Sequence, residues 1–411
     1  MSSKWLSLEH AMEKAIDATS ILGESETIAL SRALGRITAS EVHATLSVPP
    51  WDNSAMDGFA INAASSQPDT LMPIQGTITA GMAADEPLKP GHAIKIMTGA
   101  PVPPGADAVV MVENTSTEGN HVSINKQHAC GENIRKKEAD IKIGQSLVNQ
   151  GIRLQPQHLM LLSSQGLTTV DVVKQVKVGV VATGSELAQP GEPCLPTQIY
   201  ESNRIGVSAL LAELGVEIID FGIVKDDEQS LTALFKEASA RVDVMVSSGG
   251  VSVGDADYVK DVIDALGSID FWKVAIKPGK PFALGHIGNT LFCGLPGNPV
   301  SAFVTAKLLV TPLIRKMQGE QQVRKPLTVN ATVTCDIKRR AGRRDFQRAT
   351  ITYDENFNLL VTPFRTQSSG VMTSITAANC LMIIHEDISH VEKGTTLPVI
   401  PFDLLSPESD L

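Results

Sequence analysis

Apolar residues recur every three or four positions in "LEHAMEKAIDA" (8–18), which predicts an amphipathic helix. The same spacing in "IALSRALGRI" predicts a second. From "HATLSVPPWDNSAMDGFAI" to about residue 145 the texture changes. Prolines, glycines and short β-branched runs such as "DAVVMVE" and "HVSINK" predict an all-β region of short strands. "PQHLMLLSSQG" reads as another helix. At Val176 continuous apolar runs begin to alternate with amphipathic ones. "VKVGVVATG", "VEIIDFGIV", "VDVMVSSGG", "IDFWKVAI" and "TLFCGLP" read as strands. "NRIGVSALLAELG", "EQSLTALFKEASA", "DYVKDVIDALG" and "NPVSAFVTAKLLVTPLIRKM" read as helices. That alternation predicts a doubly wound parallel α/β sheet over about 176–324. After "GEQQVRKP", short alternating strands as far as "TLPVIPFDLL" predict a small β domain.

At 411 residues the chain is expected to hold two to four domains. An apolar fraction of 43% with only 4% aromatic residues makes for aliphatic cores. The net charge of −10 argues against general nucleic-acid binding and leaves room for a local basic pocket holding a small anion. Five cysteines (130, 194, 293, 335 and 380), none at metal-ligand or redox spacing, fit a reducing cytosol. The N-terminus has no signal-peptide pattern, and no apolar run approaches the roughly 18 residues of a membrane span. The expectation is a soluble, cytoplasmic chain.

In an open parallel sheet, ligands bind beyond the carboxyl ends of the strands. Four polar loops share that edge: "ATGSEL" (182–187), "VKDDE" (224–228), "SSGGVSVGDADY" (247–258) and "GLPGNPVS" (294–301). The glycines of the third allow an anion close to the backbone, yet Asp255 stands where a phosphate loop would carry lysine. Asp257 suits a phosphate reached through a divalent cation; a turn with an acidic helix cap explains the loop equally well. Asp226 and Asp227 by themselves read as helix caps, and Glu186 as a solvent-facing glutamate. Asn298 and Pro299 mark a helix start whose amides could hold an oxyanion. Lys273, Lys277 and Lys280 crowd a Pro-Gly turn; a solvated lysine cluster is the plain alternative to an anion site.

Taken in order, "LGRITASEV", "DNSAMDGFAI", "IKIMTGAPVPPGADAVV", "GENIRKKEADI", "VVATGSEL", "SSGGVSVGDADYV", "FWKVAIKPGKPFA", "CGLPGNPVSA", "DFQRA" and "SSGVMTSITAANC" resemble the molybdopterin molybdenumtransferase family, the MoeA proteins and the E domain of gephyrin. The resemblance covers nearly the whole chain. It implies an α/β and β multidomain fold. A helical linking domain takes 1–43 and 146–175, and a β-rich lobe takes 44–145. A molybdopterin-binding α/β domain takes 176–324, and a small β-barrel domain takes 325–411. It implies an elongated homodimer whose site lies between the α/β domain of one subunit and the β-rich lobe of the other. It also implies a reaction in which adenylylated molybdopterin and molybdate give molybdenum cofactor and AMP, with Mg2+.

By motif, the resemblance assigns catalysis to Asp57, Thr98, Asp140, Glu186, Asp226 and Asp257, with Asp226, Asp257 and Glu186 holding the metal. It assigns substrate binding to Lys273, Lys277, Lys280, Ser248, Gly249, Gly250, Pro296, Pro299, Arg348 and Ser369. Without it, Asp57 and Thr98 are turn residues, and Arg348 and Ser369 attract no notice. The chain departs from the family pattern at Glu138 and Ala139, at Ser185 and at Ser368. Molybdate, a dianion, calls for lysine, arginine and amide donors, and the pyrophosphate of the pterin calls for the magnesium. No Ser–His–Asp or Cys–His set points to a covalent intermediate. Two other readings are a gephyrin-like scaffold and a molybdopterin adenylyltransferase, whose relatives lack the β-rich lobe and terminal domain. The expected partners are small-molecule substrates and a second copy of the chain, with contact to a molybdopterin adenylyltransferase and acceptor molybdoenzymes admitted, and neither nucleic acid nor membrane.

Overall fold

A computed structural model describes residues 5–82, 86–250, 258–321, 323 and 326–403. The chain divides into two compact units, one formed by Met1–Ala39, Gln150–Gln155 and Thr169–Leu411, the other by Ser40–Asn149 and Pro156–Thr168.

The larger unit is built on a six-stranded sheet. Edge to edge it runs Glu217–Val224, Lys177–Thr183, Val244–Ser248, Thr290–Leu295, Pro281–Ile287 and Gly267–Lys273. The first four strands are parallel. Pro281–Ile287 runs against both of its neighbours, folded back on Thr290–Leu295 by a tight turn, so Gly267–Lys273 at the edge again points the same way as the first four. The strand pattern in the sequence did not mark Pro281–Ile287, whose short run lies between a Pro-Gly turn and the next strand. Val244–Ser248 and Thr290–Leu295 are buried at every position, which explains their unbroken apolar texture: parallel strands are covered on both faces. Alternate side chains reach opposite faces. Val180 and Val246 join a core with Val207, Leu210 and Leu211 of the helix Asn203–Ala212. Val181 and Met245 join another core with Leu231, Phe235 and Ala238 of the helix Glu228–Ser239. The sheet is thus doubly wound, as predicted.

The helix Leu8–Asp17 is capped by Ser7 and buries Leu8, Ala11 and Ala15 in the first of these cores. The second predicted helix is a correction. Ser25–Ala29 is a strand paired antiparallel with Thr169–Val173, followed by a single 3-10 turn at Leu30–Arg32. The pairing partner lies some 140 positions downstream, so tertiary pairing overrides a local helical spacing.

In the terminal region the strands Arg344–Tyr353, Leu359–Pro363, Val329–Val333, Thr396–Pro401 and Cys380–Ile384 close on themselves through the pairing of the first with the last. This is a five-stranded barrel around Ala349, Val361, Met382 and Val399. Ile276–Lys277 adds in parallel to the barrel's rim, with Lys277 in register with Asp345. That short pairing ties the Pro-Gly turn to the barrel.

The smaller unit carries its own six-stranded sheet, in the order Ala108–Met111, Gly58–Ile61, Ala93–Ile96, Met72–Ile78, His121–Ile124 and Thr115–Glu118. It also holds the helix Pro156–Ser164. Among the described residues no helix is long and apolar enough to cross a membrane.

Candidate active site

A cavity of about 690 Å³ opens at the carboxyl ends of the four parallel strands. Thr183 ends the strand Lys177–Thr183 and Gly184 and Glu186 follow it, Asp226 follows Glu217–Val224, Gly249 and Gly250 follow Val244–Ser248, and Pro296, Gly297, Asn298 and Ser301 follow Thr290–Leu295. The opposite wall comes from Lys277 to Pro281 and from Arg343, Gln367, Ser368 and Ser369 of the barrel. The sheet topology alone brings the four edge loops together, as expected of an open parallel sheet.

The two glycines are required by crowding, against the neighbouring strand at Gly249 and against the helix Tyr258–Leu266 at Gly250. A Cβ on Gly249 (φ +91°) would lie 2.4 Å from the Thr183 carbonyl oxygen, and one on Gly250 (φ +66°) would lie 2.4 Å from Val259 Cγ2. Ser248 is not part of the wall: its hydroxyl accepts from Asn203 Nδ2 at 2.8 Å, and the same amide donates to the Gly297 carbonyl at 2.6 Å. Asn203 therefore clamps the third edge loop to the fourth. In the sequence it reads only as the start of a helix.

The acids fall into two roles. Asp227 is a helix cap, accepting from Ser230 N at 2.8 Å and Ser230 Oγ at 2.9 Å. Asp226 faces the cavity, and its buried Oδ1 has no hydrogen-bond partner. Burial pushes its carboxyl above the usual range, and the charges of Glu186 and Asp227 add to the effect. Asp257 lies outside the described residues, as does Asp255. Among the described residues no three His, Cys, Asp or Glu side chains are grouped to hold a metal by themselves. Two carboxylates in one cavity, one with an orphaned oxygen, nevertheless suit a magnesium ion that takes its remaining oxygens from a phosphate and water.

The cations meet from two directions. Lys277 Nζ lies 3.5 Å from the wholly buried Asp345 carboxylate, which also faces Arg339 Nε at 3.5 Å. Lys280 and Arg343 line the same wall without an ion pair to any of the described residues, and Arg343 Nη1 donates to the Ile276 carbonyl at 3.2 Å. Lys273 does not line the cavity; its carbonyl accepts from Leu6 N. Arg348 is fully buried behind the wall, with Nε donating to Ser374 Oγ at 3.0 Å and Nη2 to the Ser368 carbonyl at 3.1 Å. Burial holds its pKa down, and Asp345 partly opposes this. It props up the Ser368–Ser369 loop, and the half-buried Arg343 takes the place on the cavity wall. Arg343 was not singled out in the sequence: "AGRRDFQRA" offers three arginines, and only strand register separates them.

Pro296 and Ser369 line the cavity and Pro299 does not. The amide of Val300 at that helix start donates to the Ser369 carbonyl at 3.3 Å, so it is already taken. In the smaller unit, Asp57 accepts from both Thr98 N and Thr98 Oγ1 at 2.7 Å, bonds that hold its carboxyl below the usual range. Asp140 is exposed there, with its amide bonded to Val48 O.

Comparison with known proteins matches this architecture segment by segment. Residues 6–166 match the MoeA N-terminal region (domain I and II), 179–316 a probable molybdopterin binding domain, and 330–402 the MoeA C-terminal region (domain IV). A molybdopterin molybdenumtransferase of Haemophilus influenzae is 39% identical over 401 residues, 97% of this chain and 99% of that protein. A molybdopterin molybdenumtransferase 2 of Mycobacterium tuberculosis is 35% identical over 384 residues, 91% of this chain and 94% of that one. The crystal structure of a molybdopterin biosynthesis moeA protein from Pyrococcus horikoshii superposes with a TM-score of 0.83 at 28% identity, covering 97% of this chain and 100% of its own.

Proposed function

The chain belongs to the MoeA family of molybdopterin molybdenumtransferases, enzymes that insert molybdenum in molybdenum cofactor biosynthesis; from that premise we propose that its reaction is a magnesium-dependent transfer in which adenylylated molybdopterin and molybdate give cofactor and AMP. The observation that carries this reading is the polarity of one cavity. Glu186 and Asp226 occupy the strand-tip side, and Lys277, Lys280 and Arg343 the barrel side.

On the barrel side, three cations and the Ser369 hydroxyl suit a tetrahedral dianion, each cation supplying charge-assisted donors. On the strand-tip side, the backbone at Gly249 and Gly250 lines the cavity and would receive the pyrophosphate. Magnesium bound there would offset the charge that develops on the phosphoanhydride as AMP leaves. Asp226 and Glu186 would hold it, with Asp257 as the further ligand. Asp345 keeps Lys277 aimed at the oxyanion, and Arg348 holds the loop that presents Ser369. We assign Asp57, Thr98 and Asp140 to the same reaction, Ser248, Lys273 and Pro299 to supporting the walls, and the four-domain division of the chain to this architecture. A homodimer working in the cytoplasm, receiving its pterin from an adenylyltransferase and passing cofactor to acceptor molybdoenzymes, completes the proposal.

The test is incubation of the purified chain with adenylylated molybdopterin, Mg2+ and molybdate, following AMP and cofactor able to activate an apo-molybdoenzyme. Molybdate-dependent AMP release is expected; release no greater than in an enzyme-free control overturns the reading.

A further inference from the structure

We propose that Trp5 is a positioning residue for the oxyanion side of this cavity, holding Lys280 and Arg343 in place to receive molybdate; the inference rests on the reading of the cavity given above. Lys280 Nζ lies 5.3 Å from the centroid of the Trp5 ring, and Arg343 Cζ lies 5.9 Å from it. The two cations come from different elements, the Pro-Gly turn and the rim of the barrel, and converge on one indole.

The backbone that follows Trp5 is pinned. Leu6 N donates to the Lys273 carbonyl at 2.9 Å and Ala275 N donates to the Leu6 carbonyl at 2.8 Å, a parallel bridge at Val274. One residue further on, Ser7 caps the helix Leu8–Asp17, whose Glu9 pairs with Arg344 beside Arg343. Trp5 is 43% exposed, so burial of apolar surface is a weak reason for its place.

The alternative way to order two flexible cations is an ion pair, and the protein uses that device for Lys277 with Asp345. A carboxylate beside Lys280 or Arg343 would cancel the charge that molybdate needs. An aromatic face attracts a cation through its quadrupole and leaves the net charge intact. Trp5 thereby restrains both side chains, offsets part of their mutual repulsion and leaves their charge for the dianion.

The test compares the full-length wild type with Trp5→Leu, Trp5→Phe and Arg343→Ala. It measures KM for molybdate, KM for adenylylated molybdopterin, kcat at saturating molybdate, melting temperature, and molybdate binding by calorimetry without pterin. Loss of two exposed cation–π contacts in Trp5→Leu is expected to raise the molybdate KM and dissociation constant about fivefold to thirtyfold. The pterin KM, kcat and melting temperature are expected to stay put, and Trp5→Phe to restore most of the loss. A wild-type molybdate KM in Trp5→Leu, alongside a raised one in Arg343→Ala, overturns the role of Trp5 and leaves the cavity reading standing. Failure of both variants to change molybdate binding overturns the cavity reading itself. A fall in melting temperature with both KM values rising together makes Trp5 merely structural and also overturns the proposal.

Discussion

The carboxylate of Asp345, completely buried, stands 3.5 Å from the ammonium of Lys277, in register across two parallel strands. The same carboxylate faces Arg339 Nε at 3.5 Å and accepts from Gln347 Nε2 at 3.0 Å. One acid therefore neutralises a structural guanidinium and aims a site lysine. Removing its charge leaves Arg339, only 2% exposed, without its counter-ion. Asp345→Asn is expected to destabilise the larger unit by about 3–5 kcal/mol in urea unfolding and to raise the molybdate KM. Arg339 Nη1 also donates to the His385 and Ile388 carbonyls at 2.8 and 2.9 Å, and unchanged unfolding would show that these suffice.

Two neighbouring arginines separate binding from support. Arg343 lines the cavity, whereas Arg348 is sealed behind it and bonded to Ser374 and Ser368. Arg343→Ala is expected to raise the molybdate KM roughly tenfold to a hundredfold, the worth of one charge-assisted bond, with stability nearly unchanged. Arg348→Ala is expected to act in the reverse order, lowering the melting temperature first. Parallel steady-state kinetics and thermal melts distinguish them, and equal effects on both readouts would refute the division.

Gly249 tests the crowding at the strand tips. Its φ of +91° and the Thr183 carbonyl 2.4 Å from a built Cβ leave an alanine no room, since a backbone oxygen in a central strand cannot step aside. Gly249→Ala is expected to cost about 1–3 kcal/mol in chemical unfolding and to abolish activity with it. A fully stable but inactive variant would locate the effect in substrate approach alone.

What could be read in the chain follows from the range of each interaction. Strand–helix alternation is local, and the parallel topology it implies places the edge loops, with Gly249 and Gly250, on one edge without further information. Within those loops Glu186 and Asp226 read by themselves as a solvent-facing acid and a helix cap, and only the family resemblance singles them out. Asp226 and Asp227, by contrast, are adjacent acids with opposite fates, one facing the cavity and one capping a helix. Only the path of the backbone separates them. Arg343 and Asp345 gain their roles from pairing with Ile276–Lys277, which lies almost 70 positions earlier in the chain. Asn203 and Trp5 act on partners brought close by folding alone. The helical spacing of Ile28 to Ile37 misleads for the same reason, since its first two residues end a strand paired far downstream.

In the smaller unit, the two Thr98 bonds hold the Asp57 carboxyl below its ordinary value. A depressed carboxylate pKa stabilises the fold above the unfolded value, about pH 4, and that contribution disappears as pH falls through the folded value. Thr98→Val keeps the amide bond and removes the hydroxyl. Asp57 should then titrate closer to an ordinary aspartate, and the variant should lose less stability than wild type on acidification below about pH 4. Carboxyl 13C titration of Asp57 in both proteins checks the direction, and coincident midpoints would remove the hydroxyl from the account.

The opposite sign holds at Asp226. Burial, with Glu186 and Asp227 nearby, raises its pKa, so its ionised form opposes folding once the pH passes its unfolded value, about 4, and the penalty is complete above the raised folded value. Without divalent ions at neutral pH, Asp226→Asn is therefore expected to melt higher than wild type, by roughly 1–3 °C. Adding Mg2+ should reverse the order, because a dication meets the orphaned Oδ1 of the aspartate and gains little from an amide. Molybdate-dependent AMP release should vanish in the variant while its stability improves, the trade-off expected where an acid is kept for chemistry at the expense of the fold. Calorimetry with and without Mg2+, beside the AMP assay, reads both halves. An equal Mg2+ response in the two proteins, or retained turnover in the variant, would take Asp226 out of the metal site.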